Sequence, residues 1–230
     1  MANMTQDNTC YDYCSFMPFC ADEKTQQARL PVKRQFHLKK KEALDLPKNK
    51  FQNLYAIQNG ALKTYHIEAD GKELIRGFYF SGEILGYEAI YAGQYCFSAI
   101  ALTDTIVCEI SYDSFIALTQ SKPALQKHAM YLISKELNTG SYLASVTAEQ
   151  RFAAFLLDLT VRLHPLKPQI NFDIPMTRQD IGNYLGLTPE TISRMMTRLQ
   201  KKNIITIHHK KIQITQLEAL KKIASGIELT

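Results

Sequence analysis

The sequence contains no run of about 18 apolar residues, the length that a helix needs to cross a bilayer. Its first residues, MANMTQDNTC, lack the basic start and apolar stretch of a secretory signal peptide. We therefore expect no membrane association and predict a cytoplasmic location, where thiols stay reduced and disulfides are rare.

The motifs of common enzyme classes are also missing. The chain has no glycine-rich loop that would cradle a phosphate and no paired acidic motif for acid–base catalysis. The sequence places no histidine or carboxylate as the partner of a cysteine nucleophile. We predict that the protein is not an enzyme, and a cysteine-dependent enzyme is the alternative from a different functional class.

An excess of charge is present at one end only. Residues 1–146 contain 15 Lys and Arg and 15 Asp and Glu, whereas residues 147–230 contain 12 basic and 7 acidic residues. The whole net charge of +5 thus lies in the C-terminal third. A neutral body with one basic end is typical of proteins that contact nucleic-acid phosphates at that end.

The strongest pattern in the chain is a predicted helix–turn–helix over residues 177–196. Thr177 is placed as the N-cap of the first helix, and Asp180 three residues later completes a capping box. Gly182 lies where the first helix must let the second pass close by. Gly186 supplies the positive-φ residue that ends the first helix.

The second helix of this motif carries the candidate DNA-reading residues. Thr188 caps it and Pro189 occupies its first turn. The residues predicted to face inward are Ile192, Met195 and Met196, and those predicted to face outward are Glu190, Ser193 and Arg194. An arginine fork matches guanine O6 and N7, and a carboxylate accepts from cytosine N4. We add Thr188 and Arg198 to this candidate DNA-binding set; an ordinary helical hairpin with a solvated polar face is the alternative.

The first half of the chain reads as short antiparallel strands. The turns Gln58-Asn59-Gly60 and Ala69-Asp70-Gly71-Lys72 separate alternating apolar runs, which is a strong hairpin signal. We predict an α+β fold in which an antiparallel β-roll, similar to a cyclic-nucleotide-binding jelly roll, precedes a long helix and a C-terminal winged helix–turn–helix. The predicted units are a cysteine-rich segment over 1–29, the roll over 30–120, the long helix over 121–146 and the DNA-binding unit over 147–230.

The long helix carries an apolar stripe that we assign to dimerisation. Its members are Leu125, Ala129, Leu132, Ile133 and Leu137. Such a stripe can pack against its own roll or against a second copy of the chain. Because a reader with one recognition helix gains affinity from two half-sites, we favour a symmetric homodimer.

The cysteines suggest a second function. Cys10, Cys14 and Cys20 lie within eleven positions in a segment without periodicity. Clustered thiolates in a reduced compartment indicate a zinc site, an iron–sulfur site or a redox sensor, with unrelated free thiols as the alternative. Cys108 alternates with Ile106 and Ile110, so its position by itself favours a small buried residue.

The order of roll, long helix and winged helix–turn–helix resembles the CRP/FNR family of bacterial transcription regulators, and most closely its oxygen-responsive FNR branch. The stretches LYAIQNG at 54–60, VCEI at 107–110, DIGNYLGL at 180–187 and ETISR at 190–194 carry the resemblance. The resemblance implies that Glu190, Ser193 and Arg194 read a TTGAT half-site in double-stranded DNA, as in TTGAT-N4-ATCAA. It also implies a 4Fe–4S cluster on Cys10, Cys14, Cys20 and Cys108 that oxygen destroys, weakening the dimer and DNA binding, with Cys96 as a bystander.

Two local features distinguish this chain within the family. The N-terminal spacing is C-x3-C-x5-C, whereas FNR regulators usually have C-x2-C-x5-C. A zinc or thiol-redox sensor is therefore the alternative to the cluster. The stretch Tyr95-Cys96-Phe97 stands where cyclic-nucleotide binders place an arginine, and without a cation a buried phosphate would be costly. We expect no cyclic nucleotide as ligand, and RNA polymerase as a partner of exposed loops.

Overall fold

Two four-stranded antiparallel sheets form the first half of the chain. The computed structural model describes residues 32–46, 50–139, 147–164 and 169–226. One sheet has the order Val32–Leu38 (β1), Thr105–Ser111 (β8), Asn53–Asn59 (β3) and Ile84–Leu85 (β6). The other has the order Ala43–Leu44 (β2), Ser98–Ala101 (β7), Ala61–Ile67 (β4) and Glu73–Phe80 (β5). The predicted antiparallel roll is confirmed.

The turn between β3 and β4 requires glycine. Gly60 has φ +95°, a conformation that other residues rarely adopt. A Cβ at this position would also lie 2.5 Å from Thr105 Oγ1 and 2.6 Å from the carbonyl oxygen of Asp104. The predicted Asn-Gly turn therefore fixes where the chain crosses from one sheet to the other.

The alternation along β3 and β8 separates two apolar layers. Tyr55, Ile57 and Val107 point between the sheets, where they pack with Leu62, Leu85 and Ala99. The alternate residues Leu54, Ala56, Cys108 and Ile110 point to the outer face and are covered by helices. Because side chains alternate with a period of two in a strand, one continuous sheet supports both layers.

Three helices accompany the roll: Tyr87–Ala92 (α1), Tyr112–Ser121 (α2) and Pro123–Thr139 (α3). Helix α3 is the predicted long helix, and residues 140–146 of that prediction lie outside the described residues. Within the described ranges, no helix is both long enough and apolar enough to traverse a bilayer.

The second half is a helical unit with a small sheet. Its helices are Ala148–Arg162 (α4), Arg178–Leu185 (α5), Pro189–Lys201 (α6) and Leu217–Ala224 (α7). Its strands Asn171–Asp173 (β9), Ile205–His208 (β10) and Lys211–Ile214 (β11) form an antiparallel sheet in the order β10-β11-β9. The predicted winged helix–turn–helix is confirmed.

One apolar core joins the roll to the winged unit. Phe78 and Phe80 of β5 belong to the same buried cluster as Phe155 of α4. The ring of Tyr184 in α5 lies edge-on to that of Phe78, with the centroids 5.1 Å apart. Burial of apolar surface therefore holds the second unit against the outer face of the β4–β5 sheet.

Candidate nucleic-acid interface and metal ligands

Helix α5 begins with the predicted capping box. Thr177 Oγ1 accepts from the backbone N–H of Asp180 at 3.1 Å, and Asp180 Oδ2 accepts from the backbone N–H of Thr177 at 2.9 Å. These two bonds satisfy donors that a helix N-terminus leaves unpaired. The start of the first helix is thereby fixed at the residue that the sequence indicates.

The turn between α5 and α6 depends on a close backbone approach. A Cβ on Gly182 would lie 2.7 Å from the carbonyl oxygen of Leu187, so glycine lets the helices approach as predicted. Gly186 ends α5 with φ +66°. This turn sets the direction in which α6 leaves α5, and hence which side chains of α6 face outward.

Helix α6 is seated by its cap and its apolar face. Thr188 Oγ1 accepts from the backbone N–H of Thr191 at 3.2 Å, with Pro189 in the first turn. The inward residues are Ile192, Met195, Met196 and Leu199, all buried. Thr188 therefore uses its hydroxyl as a cap, and its predicted contact with DNA stays a prediction.

Glu190, Ser193 and Arg194 share the outward face of α6. Glu190 and Arg194 are exposed, and Ser193 is half-buried. A hydrogen bond with its own backbone, one with Thr188 and the nearby Arg194 guanidinium lower the pKa of Glu190, so it stays a carboxylate. Arg194 Nη2 donates to Thr191 Oγ1 at 3.2 Å. The structure brings the three predicted residues together on one solvent-facing surface.

Two arginines lie at the edges of this surface, Arg198 of the predicted set and Arg178 outside it, and the DNA contact of Arg198 stays a prediction. Arg198 makes an ion pair with Glu149 of α4 at 3.1 Å, so part of its charge is already compensated within the chain. Arg178 was not in the predicted set, yet its Nη1 donates to Ser193 Oγ at 3.1 Å. The sequence signal for Arg178 is its place directly after the Thr177 cap, which puts it in the first turn of α5 beside α6.

The wing is a two-residue hairpin with a basic tip. His208 pairs with Lys211, and His209 and Lys210 form the turn between β10 and β11. His209 has φ +55°, which is uncommon for a residue with a side chain. The tip of the wing is thus basic and belongs to the same unit as α6.

The contact between α5 and the roll is polar as well as apolar. Lys63 Nζ of β4 donates to Asp180 Oδ1 at 2.8 Å and to Glu73 Oε1 at 2.5 Å. Asn183 Oδ1 accepts from the backbone N–H of Ile75 at 2.8 Å. Asp180, the capping residue of α5, is therefore also a counter-ion for the roll.

This ion pair predicts a dependence of stability on pH. Burial alone would raise the pKa of Asp180, but hydrogen bonds from Lys63 and Thr177 outweigh it and lower the pKa. Because the folded pKa lies below the unfolded value of about 3.9, the contribution is complete above that pH and is lost as pH falls through the lowered value. Lys63→Met should cost about 1.5–3 kcal/mol at neutral pH and flatten the acid side of the stability profile.

Urea unfolding at several pH values between neutral and acid measures this effect. Lys72→Met is the matched control, because Lys72 pairs with Asp70 in an exposed turn. Equal acid profiles for the Lys63→Met variant and the unaltered protein would contradict the assignment.

Cys108 is the one predicted metal ligand among the described residues. Its residue is 6% exposed and its side chain lies in the cluster under α2 and α3. Gln35 Nε2 donates to Cys108 Sγ at 3.6 Å, and Cys108 Sγ donates to Gln58 Oε1 at 3.7 Å. Cys10, Cys14 and Cys20 lie outside the described residues, and Cys96 is exposed.

The surroundings of Cys108 fit a thiolate ligand. The Gln35 amide N–H points at the sulfur and could be kept by a ligating cysteine, whereas the bond from Cys108 S–H to Gln58 would be given up on ligation. A sulfur in an apolar cluster with limited access suits soft-metal ligation. In the described part of the chain, no group of three or more His, Cys, Asp or Glu side chains could hold a metal by itself. A site at Cys108 would therefore need ligands from outside that part.

Helix α3 divides the predicted dimerisation stripe between two environments. Leu125, Ala129 and Leu132 are buried against their own roll, in the cluster that contains Cys108. These three side chains therefore pack on their own roll, and their predicted contact with a second copy stays a prediction. Ile133 is half-buried and Leu137 is 75% exposed. Met130 and Tyr131, not predicted, are exposed beside them.

Comparison with known proteins places these features among transcription regulators. A family model described as "Crp-like helix-turn-helix domain" matches residues 150–223, and one described as "Cyclic nucleotide-binding domain" matches residues 35–122. Both matches agree with the observed division into winged unit and roll.

Full-length relatives are similar over nearly the whole chain. A Yersinia pestis protein named "Fumarate and nitrate reduction regulatory protein" is 37% identical over 96% of this chain and 90% of its own length. The protein of that name from Escherichia coli (strain K12) is 35% identical over 95% of this chain and 89% of its own length. The structure of FixK2 from Bradyrhizobium japonicum superposes with a TM-score of 0.70 at 26% identity, covering 83% of this chain and 96% of that one.

Proposed function

We propose a function from one premise: the chain belongs to the CRP/FNR family of transcription regulators. It is a DNA-binding regulator of the FNR type and not an enzyme. Beyond this, we propose that it acts as a cytoplasmic homodimer. The dimer reads TTGAT-N4-ATCAA-like sites and responds to oxygen through a 4Fe–4S cluster.

The observation that carries the DNA-reading proposal is the exposed face of α6. Glu190 and Arg194 stand one helical turn apart, with Ser193 between them. The guanidinium of Arg194 can donate two bonds to guanine, and the ionised Glu190 can accept from the amino group of cytosine. The cap at Thr188 presents this N-terminal turn of α6 to the groove, which is the usual docking geometry for a recognition helix.

Exposed apolar residues on α3 support the homodimer. Ile133 and Leu137 of the predicted stripe, with Met130 and Tyr131, form an apolar face that points away from the roll. An exposed apolar stripe on a helix is suited to pairing with the same stripe on a second copy. A symmetric pair would present two α6 helices about one DNA turn, or 34–36 Å, apart.

Contacts with RNA polymerase belong to the proposal as well.

Cys108 connects the proposed sensor to α3. The proposed ligands are Cys10, Cys14, Cys20 and Cys108, and a bound 4Fe–4S cluster would supply a centre that oxygen degrades. Cys108 packs in one cluster with Leu125 and Ala129 of α3. In this proposal, a change at the Cys108 sulfur alters the packing of α3, the helix that carries the exposed apolar face. A zinc or thiol-redox sensor on the same cysteines, whose spacing is C-x3-C-x5-C, is the alternative.

A cyclic nucleotide is not part of the proposal. Tyr95 OH donates to the carbonyl oxygen of Asn53 and accepts from the backbone N–H of Asn53 at 3.2 Å. The ring is buried and packs against Phe51 and Phe97. This aromatic group takes the place of the cation that a cyclic phosphate would need.

Anaerobic purification tests the sensor and the reader separately. We expect iron, sulfide and a visible chromophore that bleaches in air, together with a gel shift on TTGAT-N4-ATCAA that weakens after air. Cys108→Ser should abolish the chromophore, whereas Cys96→Ser, the matched control at an exposed cysteine, should retain it.

The outcomes distinguish the alternatives. Zinc without iron or sulfide would support the zinc sensor. If protein prepared without oxygen holds no metal but binds the operator with unchanged affinity, the proposed metal sensor is wrong and the proposed DNA recognition stands. Absence of a shift on the palindrome in every state would remove the proposed operator.

A further inference from the structure

A cavity of about 610 Å³ lies between the roll and the winged unit. This volume is within the range of about 300–1,000 Å³ that is usual for small-molecule sites. Its apolar walls come from both units, and they include Ile100, Leu102, Ile174, Met176, Ile181 and Met196. Aliphatic and thioether side chains of this kind accept a hydrocarbon chain, which needs no directional partner.

Two lysines from different units meet at this cavity. Lys40 follows β1 in the roll and Lys210 is in the wing turn; both line the cavity. Contact with the Lys210 ammonium group lowers the pKa of Lys40. Among the described residues, neither ammonium group has an acidic partner within the ion-pair distance of 4.0 Å. Like charges so close repel each other unless an anion lies between them.

The neighbouring lysines, unlike Lys40 and Lys210, have acidic partners for their ammonium groups. Lys39 pairs with Asp104 at 2.9 Å, and Lys63, which also lines the cavity, is held by Asp180 and Glu73. A second cavity shares Lys40 and Lys210, but Asp104 and Asp173 line it. The first cavity is lined by one carboxylate, Asp180, which is already paired with Lys63, so an anion is better accommodated there.

The backbone presents both sides of the cavity in unusual conformations. Lys41, beside Lys40, has φ +73°, and His209, beside Lys210, has φ +55°. Both line the cavity, and they are two of the three non-glycine residues with positive φ in the described ranges. Both residues are in tight turns, where positive φ is usual, and these turns fix the backbone positions of Lys40 and Lys210 at the cavity.

We propose that this cavity binds an amphipathic anion, an aliphatic chain that ends in a carboxylate or a phosphate. The chain lies against the wall formed by Leu102, Met176 and Met196, and the anionic group lies between Lys40 and Lys210. The ligand contacts the roll and the winged unit together, so its site exists only when the two units are in contact. Binding of this ligand does not depend on the proposed DNA sequence or on the proposed cluster.

Isothermal titration of the full-length protein tests the proposal with decanoate, decyl phosphate, 1-decanol and acetate. We expect saturable binding of decanoate or decyl phosphate at one molecule per chain, with the tighter of the two identifying the anionic group. Decanol lacks the charge and acetate lacks the chain. The affinity of each should be at least about tenfold lower than that of the tighter amphipathic anion, because each loses one set of contacts.

Variants identify the site. Leu102→Trp, which fills the cavity, and the double variant Lys40→Gln/Lys210→Gln should each weaken binding about tenfold. The double variant changes exposed residues only, so it keeps the test valid if Leu102→Trp fails to fold. Lys39→Gln is the matched control and should leave the affinity unchanged.

Three results would overturn the proposal. One is the absence of saturable binding, and another is equal affinity in the Lys40→Gln/Lys210→Gln variant. The third is loss of DNA affinity in that variant without any binding of decanoate or decyl phosphate. In that case, the two lysines contact DNA phosphates instead.

Discussion

Replacing Arg162 with methionine is expected to destabilise the protein by about 3–5 kcal/mol, because the change removes the buried cation of the Glu83 carboxylate and leaves it only the more exposed Lys135. Arg162 Nε and Nη2 each donate to one oxygen of Glu83 at 2.8 Å. Nη1 donates to Asp158 at 3.0 Å, and Nη2 also donates to the carbonyl oxygen of Phe78. Burial would raise the pKa of Glu83, but Arg162 and Lys135 outweigh it and lower the pKa.

The network around Glu83 connects the roll with two helices, so its loss should weaken the packing between them. Glu83 is in the roll, Lys135 is in α3 and Arg162 ends α4, so one carboxylate joins three elements. Lys135→Met is the matched control and should cost less. Lys135 is more exposed than Arg162, and Arg162 would still pair with Glu83.

Urea unfolding monitored by circular dichroism measures these differences. The double variant Glu83→Gln/Arg162→Met should recover part of the loss, because it removes the uncompensated charge together with the cation. A loss below about 1 kcal/mol in Arg162→Met would be within the range of surface ion pairs and would contradict this assignment.

Replacing Arg194 with alanine should remove most of the sequence preference in DNA binding. A bidentate arginine–guanine contact is worth about 1–3 kcal/mol of discrimination, and a dimer makes it in each half-site. We therefore expect about 2–6 kcal/mol less affinity for the proposed palindrome, and a smaller difference between that site and one with the guanines replaced.

Arg198→Ala is the matched control for this prediction. It removes the same charge from the same helix, but Arg198 is already paired with Glu149. Its effect should be smaller and nearly independent of sequence, as expected for a contact with the DNA backbone. Fluorescence anisotropy with both DNA sites at fixed salt concentration measures the four affinities. Equal discrimination by Arg194→Ala and the unaltered protein would assign the reading of guanine to another residue.

The parts of the fold that the sequence predicts well are those set by local chemistry. The capping box at Thr177 and Asp180, the close approach at Gly182 and the turn at Gly60 each depend on residues a few positions apart. Their φ angles, caps and steric limits act within one turn, so the sequence alone is sufficient. The outward face of α6 follows from the same helical periodicity.

The parts that the sequence does not predict depend on which surfaces meet. The stripe on α3 is amphipathic whether it covers its own roll or a second copy, and only the structure assigns Leu125, Ala129 and Leu132 to the roll. The contact of Lys63 with Asp180 joins residues 117 positions apart. The role of Arg178 likewise arises from the packing of α5 beside α6. The Thr177 cap indicates that Arg178 lies in the first turn of α5, but no local pattern in the sequence places its guanidinium against Ser193 or Lys63 against Asp180.

Asp180 serves two partners with one carboxylate, since it closes the first turn of α5 and neutralises Lys63 of the roll. Fraying of that turn and detachment of the winged unit from the roll are therefore thermodynamically linked events. Whatever loosens one lowers the cost of the other. Hydrogen exchange at the backbone amides in the first turn of α5 should therefore report how often the roll and the winged unit separate.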